Sequence, residues 1–224
     1  LSAWQYASSG GTRYPVQPQD VWRADQHIIA CGDLEEGDGL RLIERFGPPD
    51  LTYCDPPWNN GNASAFRTKA GMPGKVDFTG FLEALLKVTC QTRRDVFLEM
   101  GNLNAPHLIT LAEYEGAQLV RRWPITYYGR HPCTLIQLRW HGEGADPPDL
   151  TGMDDEDTPA AAVKACARPG DVIMDPCTGR GLTAATVARA DIAFIGLELS
   201  PWRLSCTLTR LALLGCKINR EGSL

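Results

Sequence analysis

Two short segments carry residue types whose order suggests chemistry. The first, Asp55-Pro56-Pro57-Trp58, follows the apolar run Leu51-Thr52-Tyr53-Cys54. An Asp-Pro pair is also an ordinary turn initiator. An acid, two prolines and an aromatic together at a strand end, however, suit a nucleobase amine. Trp58 offers a face for stacking, while the Asp55 carboxylate and the Pro56 carbonyl offer two acceptors to one amino group. An exocyclic amine is a poor nucleophile because its lone pair is delocalised into the ring. Hydrogen bonds from both of its hydrogens favour a pyramidal nitrogen and aim the lone pair. Pro56 and Pro57 stiffen the backbone so that both acceptors point one way, which raises effective concentration.

The second segment is Val172-Ile173-Met174-Asp175-Pro176-Cys177-Thr178-Gly179-Arg180-Gly181. Glycines between a strand and a helix let a ligand approach the backbone, and Gly179-x-Gly181-x-x-Ala184 fits a dinucleotide fingerprint. It also fits a glycine-rich turn that merely opens a helix. Electrostatics separates the ligand classes. Asp175 at the strand end would repel a pyrophosphate, yet it suits a cation such as S-adenosylmethionine, which carries an ammonium and a sulfonium. Glu198, at the end of the next strand, is placed to accept hydrogen bonds from ribose hydroxyls. A dehydrogenase starting its cofactor fold here would lack most of its sheet, since only one predicted strand follows.

The elements that must position these segments alternate between short β-like runs and helical ones. Strands are predicted at 27–31, 50–54, 95–100, 118–123, 133–140, 172–175 and 192–198, and helices at 39–46, 77–90, 106–115, 181–189 and 201–214. A further helix opens at Thr158-Pro159, with Thr158 as N-cap and Pro159 at its first position. Such alternation predicts a mostly parallel sheet with helices on both faces and one antiparallel element in the middle. The 224 residues are read as a single domain spanning 1–224. Two stretches lack periodicity. Residues 59–76 read as a long functional loop, a lid or target loop, and residues 141–157 as a short, solvated acidic connection.

Composition removes several classes. With 43% hydrophobic and 22% charged residues the chain is of ordinary globular type. Arg189 and Asp191 break its best apolar run, so no membrane span is predicted. The first twenty residues lack a basic stub followed by an apolar stretch, which argues against a secretory leader. Eight cysteines, none at Cys-x-x-Cys spacing, are read as reduced thiols without a metal, predicting a cytoplasmic protein. A net charge of −5 argues against coating nucleic acid by bulk charge and leaves room for a local basic cleft.

Taken together, the two segments resemble the S-adenosylmethionine-dependent amino-methyltransferases of DNA, in the permuted order where Asp-Pro-Pro-Trp precedes the cofactor motif. Asp175 to Gly181 is similar to the family's Asp-Pro-Phe-x-Gly-x-Gly, with Cys177 in place of phenylalanine. Phe194 to Pro201 is similar to the strand that brings the ribose-binding acid. The resemblance runs from about Val21 to Leu214 and implies a Rossmann-like, seven-stranded sheet with a reversed hairpin. It implies catalysis by Asp55, Pro56, Pro57 and Trp58. It implies cofactor contacts from Asp33, Leu34, Asp55, Thr158, Asp175, Pro176, Cys177, Thr178, Gly179, Gly181, Glu198 and Leu199. Asp33 has a competing reading as a helix cap, and Thr158 stands where members often have lysine.

The implied substrate is DNA, with RNA as a further possibility. A base stacked in a duplex cannot reach Asp55, so the target must be flipped or single-stranded. Asn59, Asn60, Arg67, Lys69 and Lys75 in the 59–76 segment and Arg130 in the hairpin are the expected nucleic-acid contacts; Arg121, Arg122, His131 and Arg139 lie nearby. The usual target-recognition insertion is replaced by residues 141–157. Recognition is then left to the 59–76 segment, to a homodimer or specificity partner, or is minimal, as in an orphan or phage-type enzyme. Adenine N6 methylation is the expected reaction. Cytosine N4 methylation, RNA adenosine methylation and an inactive cofactor-binding subunit are the alternatives.

Overall fold

The computed structural model describes residues 13–224; the reading of a missing leader falls mostly outside them. The strands are β1 (Asp20–Ala24), β2 (His27–Cys31), β3 (Leu51–Cys54), β4 (Val96–Gly101), β5 (Gln118–Tyr127), β6 (His131–Arg139), β7 (Val172–Asp175), β8 (Ala193–Glu198) and β9 (Ile218–Ser223). The helices are α1 (Asp38–Phe46), α2 (Asn60–Lys69), α3 (Phe78–Thr89), α4 (Ala105–Tyr114), α5 (Thr158–Cys166), α6 (Leu182–Arg189) and α7 (Pro201–Leu213). The strands form one sheet in the order β5-β6-β4-β3-β7-β8-β2-β1-β9.

Strands β4, β3, β7, β8 and β2 are parallel, and β5 and β6 complete the reversed hairpin against β4. The seven-stranded core is therefore as expected. Two more strands extend it, because β1 turns back on β2 through Asp25 at φ 52° and β9 pairs with β1. Neither was predicted: β1, Asp-Val-Trp-Arg-Ala, interrupts its apolar residues with Asp20 and Arg23, and β9, Ile-Asn-Arg-Glu-Gly-Ser, lies at an edge and carries little apolar signal.

Burial explains the layering. The parallel strands β2 and β3 are buried along their whole length, as sheets covered on both faces must be. Leu42, Leu82, Leu85, Leu86 and Leu108 from α1, α3 and α4 fill one face. Val163, Val187, Leu204, Leu208 and Leu211 from α5, α6 and α7 fill the other.

Two loop expectations change. The 59–76 segment contains a helix, α2, whose start is set by Asn59, the side chain of which accepts from the Asn62 N–H at 2.9 Å. It has no apolar stripe, and only Ala63 of α2 is buried. It therefore lies across the sheet end instead of packing into a core. The 141–157 segment is more than a solvated connection. Asp154 and Asp155 accept the Gly129 and Tyr128 N–H groups at 2.9 and 2.8 Å, clipping the tip of the β5–β6 hairpin. In α5 the cap position falls on Asp157, and Thr158 is already helical.

Candidate active site

Asp55 follows β3, Asp175 ends β7, Glu198 ends β8 and Asp33 follows β2. These strands are neighbours and parallel, with Thr52 paired to Met174, Asp175 to Gly196 and Cys31 to Glu198. The acids stand side by side along the carboxyl ends of the sheet, where the strand order reverses and open α/β sheets bind ligands.

Trp58 is fixed from several directions. Its indole N–H donates to Oδ1 of Asp55 at 2.9 Å, and its carbonyl accepts from the Asn104 amide at 2.7 Å. The ring lies against Gly101, where a Cβ would come within 3.2 Å of it. On the other side it meets Tyr127 edge-on, with ring centroids 5.0 Å apart. Tyr128 follows at 4.4 Å from Tyr127, and its backbone is left-handed at φ 52°, an uncommon conformation for an aromatic residue. The Asp155 bond holds it there.

Two cavities meet at Asp55. The larger, about 370 Å³, is walled by Trp58, Glu99, Tyr127, Tyr128 and His131 on one side and by Cys177 to Arg180 on the other. The smaller, about 80 Å³, is lined by Asp33, Leu34, Pro176, Cys177, Glu198 and Leu199. Asp55, Pro57, Phe66, Cys177 and Arg203 belong to both walls. Arg203 sits 4.2 Å above the Phe66 ring, joining α7 to α2 across the junction.

Enclosure governs the electrostatics. Burial pushes Asp175 up to about 6, against bonds from the Cys177 N–H and the Thr183 hydroxyl that favour the anion. Burial likewise raises Glu198 to about 7, although its carboxylate accepts the Gly179 and Ser200 N–H groups, each at 2.8 Å. Asp55 rises to about 7 through enclosure by protein, with Asp175 and Asp155 adding repulsion and the Trp58 bond opposing. Its side chain is open to the cleft, so water entering there works against that rise. Carboxylates gathered this tightly favour a positively charged occupant.

Most predicted site residues meet here, and three differ in role. Thr158 is fully buried behind the wall, where its hydroxyl bonds Tyr53 at 2.7 Å, while Pro159 lines the cavity. Gly181 is packed beneath the loop, because a Cβ there would lie 2.7 Å from Thr207. Arg67, expected to face nucleic acid, pairs with Asp33 at 2.9 Å and Glu35 at 2.7 Å. Of the basic residues near the hairpin, Arg139 is similarly engaged, with Asp95 at 2.6 Å. Lys69 and Lys75 are exposed on and after α2, and Arg130 is exposed at the hairpin tip. Glu99, Tyr127, Tyr128, Phe66 and Arg203 escaped the sequence reading. A signal existed for Glu99, an acid inside the apolar run of β4.

No family model matches the chain, and no curated protein matches it in sequence. Its fold is that of the Rossmann-like methyltransferases, and solved structures that include a putative DNA modification methylase and a cytosine-N4-specific DNA methyltransferase share it at low sequence identity. M1.HpyAVI in complex with SAM superposes with a TM-score of 0.64 at 11% identity, over 82% of this chain and 98% of that one. A putative DNA modification methylase of Thermus thermophilus, complexed with S-adenosyl-L-methionine, gives 0.59 at 17% identity, over 84% and 93%. The cytosine-N4-specific PvuII DNA methyltransferase gives 0.57 at 13% identity, over 88% and 90%. Among the described residues no helix is long and apolar enough to cross a membrane, and no cluster of His, Cys, Asp and Glu could hold a metal ion.

Proposed function

We propose that this chain transfers a methyl group from S-adenosylmethionine to the exocyclic N6 amine of adenine in DNA, on a flipped or single-stranded base. The observation that carries this reading is the position of Asp55, an open carboxylate at the junction of two cavities, with an aromatic wall on one side and a glycine loop on the other.

The smaller cavity, together with the Asp175 and glycine-loop wall of the larger one, suits the cofactor. Gly179 and Gly181 take left-handed conformations at φ 59° and 79°. At Gly179 a Cβ would meet nothing nearer than 3.8 Å, so the missing side chain leaves room for a ligand against the backbone. Glu198 keeps lone pairs for ribose hydroxyls, Asp33 and Leu34 border the adenine end, and Asp175 faces the cationic portion. When bound, S-adenosylmethionine supplies an electrophilic methyl group on a sulfonium.

The remaining work belongs to the protein. Trp58 occupies Oδ1 of Asp55, which leaves Oδ2 for one amine hydrogen and the Pro56 carbonyl for the other. Trp58 and Tyr127 bound the base on its apolar side. As the nitrogen–carbon bond forms and the sulfur–carbon bond breaks, the amine becomes cationic and must lose a proton. Enclosure raises the Asp55 pKa above the ordinary carboxylate range, which makes it a better match to receive that proton. Lys69, Lys75 and Arg130, all exposed, are the cations this reading assigns to phosphate contacts.

The test is incubation with labelled S-adenosylmethionine and single- or double-stranded DNA or RNA of mixed sequence, followed by digestion to nucleosides. N6-methyladenine from DNA is expected. N4-methylcytosine would keep the site and replace the base, and product from RNA alone would replace the polymer. Cofactor binding without any product would overturn the reading in favour of a partner subunit.

A further inference from the structure

Glu99 plays no part in the reaction just described, yet it forms part of the wall of the larger cavity. It is 1% exposed, and its Oε2 has no hydrogen-bond partner among the described residues. Its other oxygen is well served: Oε1 accepts from the Tyr53 hydroxyl and has the Thr158 hydroxyl 3.3 Å away. Buried carboxyl oxygens rarely go unpaired in folded proteins. The exception therefore sits where a ligand would supply the missing partner.

The sheet places Glu99 beside the reacting group. Strands β3 and β4 are parallel with Cys54 paired to Leu98, so the next residues, Asp55 and Glu99, occupy adjacent positions one strand apart. Side chains alternate across a sheet, which puts Tyr53, Asp55 and Glu99 on the same face.

We propose that Glu99 is a specificity residue of the base site, its Oε2 hydroxyl donating to the ring nitrogen beside the amine, N1 of adenine, while Asp55 accepts from the amine itself. The proposal rests on the methyltransferase reading above and adds a second contact to it. The two carboxyls form a complementary pair, one accepting and one donating, for the amino–imino edge of the base. The donor form requires Glu99 to be neutral. Its surroundings supply that: burial pushes its carboxyl well above the ordinary range, the acids Asp55 and Asp155 are near it, and the hydroxyls beside it, those of Tyr53 and Thr158, are uncharged. With the Tyr53 hydroxyl donating to Oε1 and the Thr158 hydroxyl turned to Tyr53 or to the Asp155 carbonyl, the acid proton resides on Oε2. Guanine and uracil present a carbonyl in place of the amine and an N–H in place of the bare ring nitrogen, and both contacts would fail.

The experiment compares oligonucleotides carrying one adenine, one 1-deazaadenine or one 7-deazaadenine as methyl acceptors for the wild type, Glu99→Gln and Glu99→Ala. The wild type is expected to lose about 100-fold or more in kcat/KM on 1-deazaadenine, as sites built around a hydrogen bond do, and little on 7-deazaadenine. Glu99→Gln keeps an N–H donor and should retain the preference, whereas Glu99→Ala should turn over both substrates slowly and nearly alike. Thermal melts of each variant separate this loss from unfolding, and the Gln variant carries the test if Ala does not fold. Equal wild-type rates on adenine and 1-deazaadenine, or an unchanged preference in Glu99→Ala, would overturn the proposal while leaving the methyltransferase reading in place. If the product is N4-methylcytosine, cytosine and 3-deazacytosine replace the adenine pair. Absence of transfer from the wild type to any acceptor would overturn both.

Discussion

The indole N–H of Trp58 donates to Oδ1 of Asp55 across 2.9 Å, so the aromatic wall and the carboxylate of one tetrapeptide form a single unit. The bond pins the carboxylate plane and leaves one oxygen for a substrate. It also favours the ionised carboxylate against the enclosure that opposes it.

Replacing that N–H while keeping an aromatic ring should therefore act through pH. In Trp58→Phe the Asp55 pKa should climb further above the ordinary carboxylate range, and the acid limb of the kcat/KM profile should move to higher pH. Trp58→Ala removes the ring as well and should cost ~1–3 kcal/mol of base stacking, seen as a raised KM for nucleic acid. An unshifted acid limb in Trp58→Phe would detach the indole from Asp55 in the working enzyme.

Asp55→Ala should lower methyl transfer by about 100-fold or more, a loss typical of removing a positioned polar group. Affinity for S-adenosylmethionine, measured by calorimetry, should change little, because Asp33 and Glu198 of the smaller cavity and the glycine loop of the larger one remain. Loss of both functions together would show that the carboxylate serves the cofactor.

Cofactor affinity should depend on pH in a defined direction. In the free protein Asp175 and Glu198 keep their protons up to about 6 and about 7, whereas in the unfolded chain they ionise near their ordinary values. These groups bind more protons when folded, so their contribution to stability falls as pH rises through that interval. A cationic ligand favours the ionised forms. S-adenosylmethionine should bind more tightly as pH rises towards about 7 and level off above it, releasing protons on binding. Calorimetry in buffers of different ionisation enthalpy measures the release. S-adenosylhomocysteine, which lacks the sulfonium charge, should show a shallower dependence.

Gly181→Ala probes the packing beneath the cofactor loop. Its Cβ would stand 2.7 Å from Thr207 Cγ2 on a backbone at φ 79°, for an expected loss of about 1–3 kcal/mol in denaturant unfolding. A second substitution, Thr207→Ala, should recover only part of it, because the backbone strain remains.

Arg67 and Arg130 should separate under salt. Arg67 spans Asp33 and Glu35, so Arg67→Ala should weaken cofactor binding and leave the salt dependence of DNA binding unchanged. Arg130→Ala should weaken DNA binding across sequences and reduce the salt slope by about one.

The core of this arrangement was legible in sequence because two local signals coincide at each of its decisive points. Leu51 to Cys54 and Val172 to Asp175 are apolar strands that end in turn-forming residues, and the acids that matter come directly after or at those ends. What escaped depends on tertiary context. Helix α2 is polar on nearly every side and buries only Ala63, so it left no periodic trace. Asp154 and Asp155 read as solvent-facing acids because nothing local reveals that they bind the Gly129 and Tyr128 amides. Arg67 looked available for phosphate, and its partners lie more than thirty residues earlier. Tyr127 belongs to the site only because the hairpin folds its tip back over Trp58.

Because β3 and β7 are paired side by side, the acceptor motif and the donor loop spring from positions one interstrand step apart, ~4.8 Å. That spacing belongs to the hydrogen-bond ladder and is indifferent to loop length. The protein thus carries a built-in ruler. Under the proposed function, segments such as 59–76 can lengthen, shorten or be exchanged without altering the reach between the two sites. Changes at Thr52 or Met174, buried in the ladder itself, would alter the ruler.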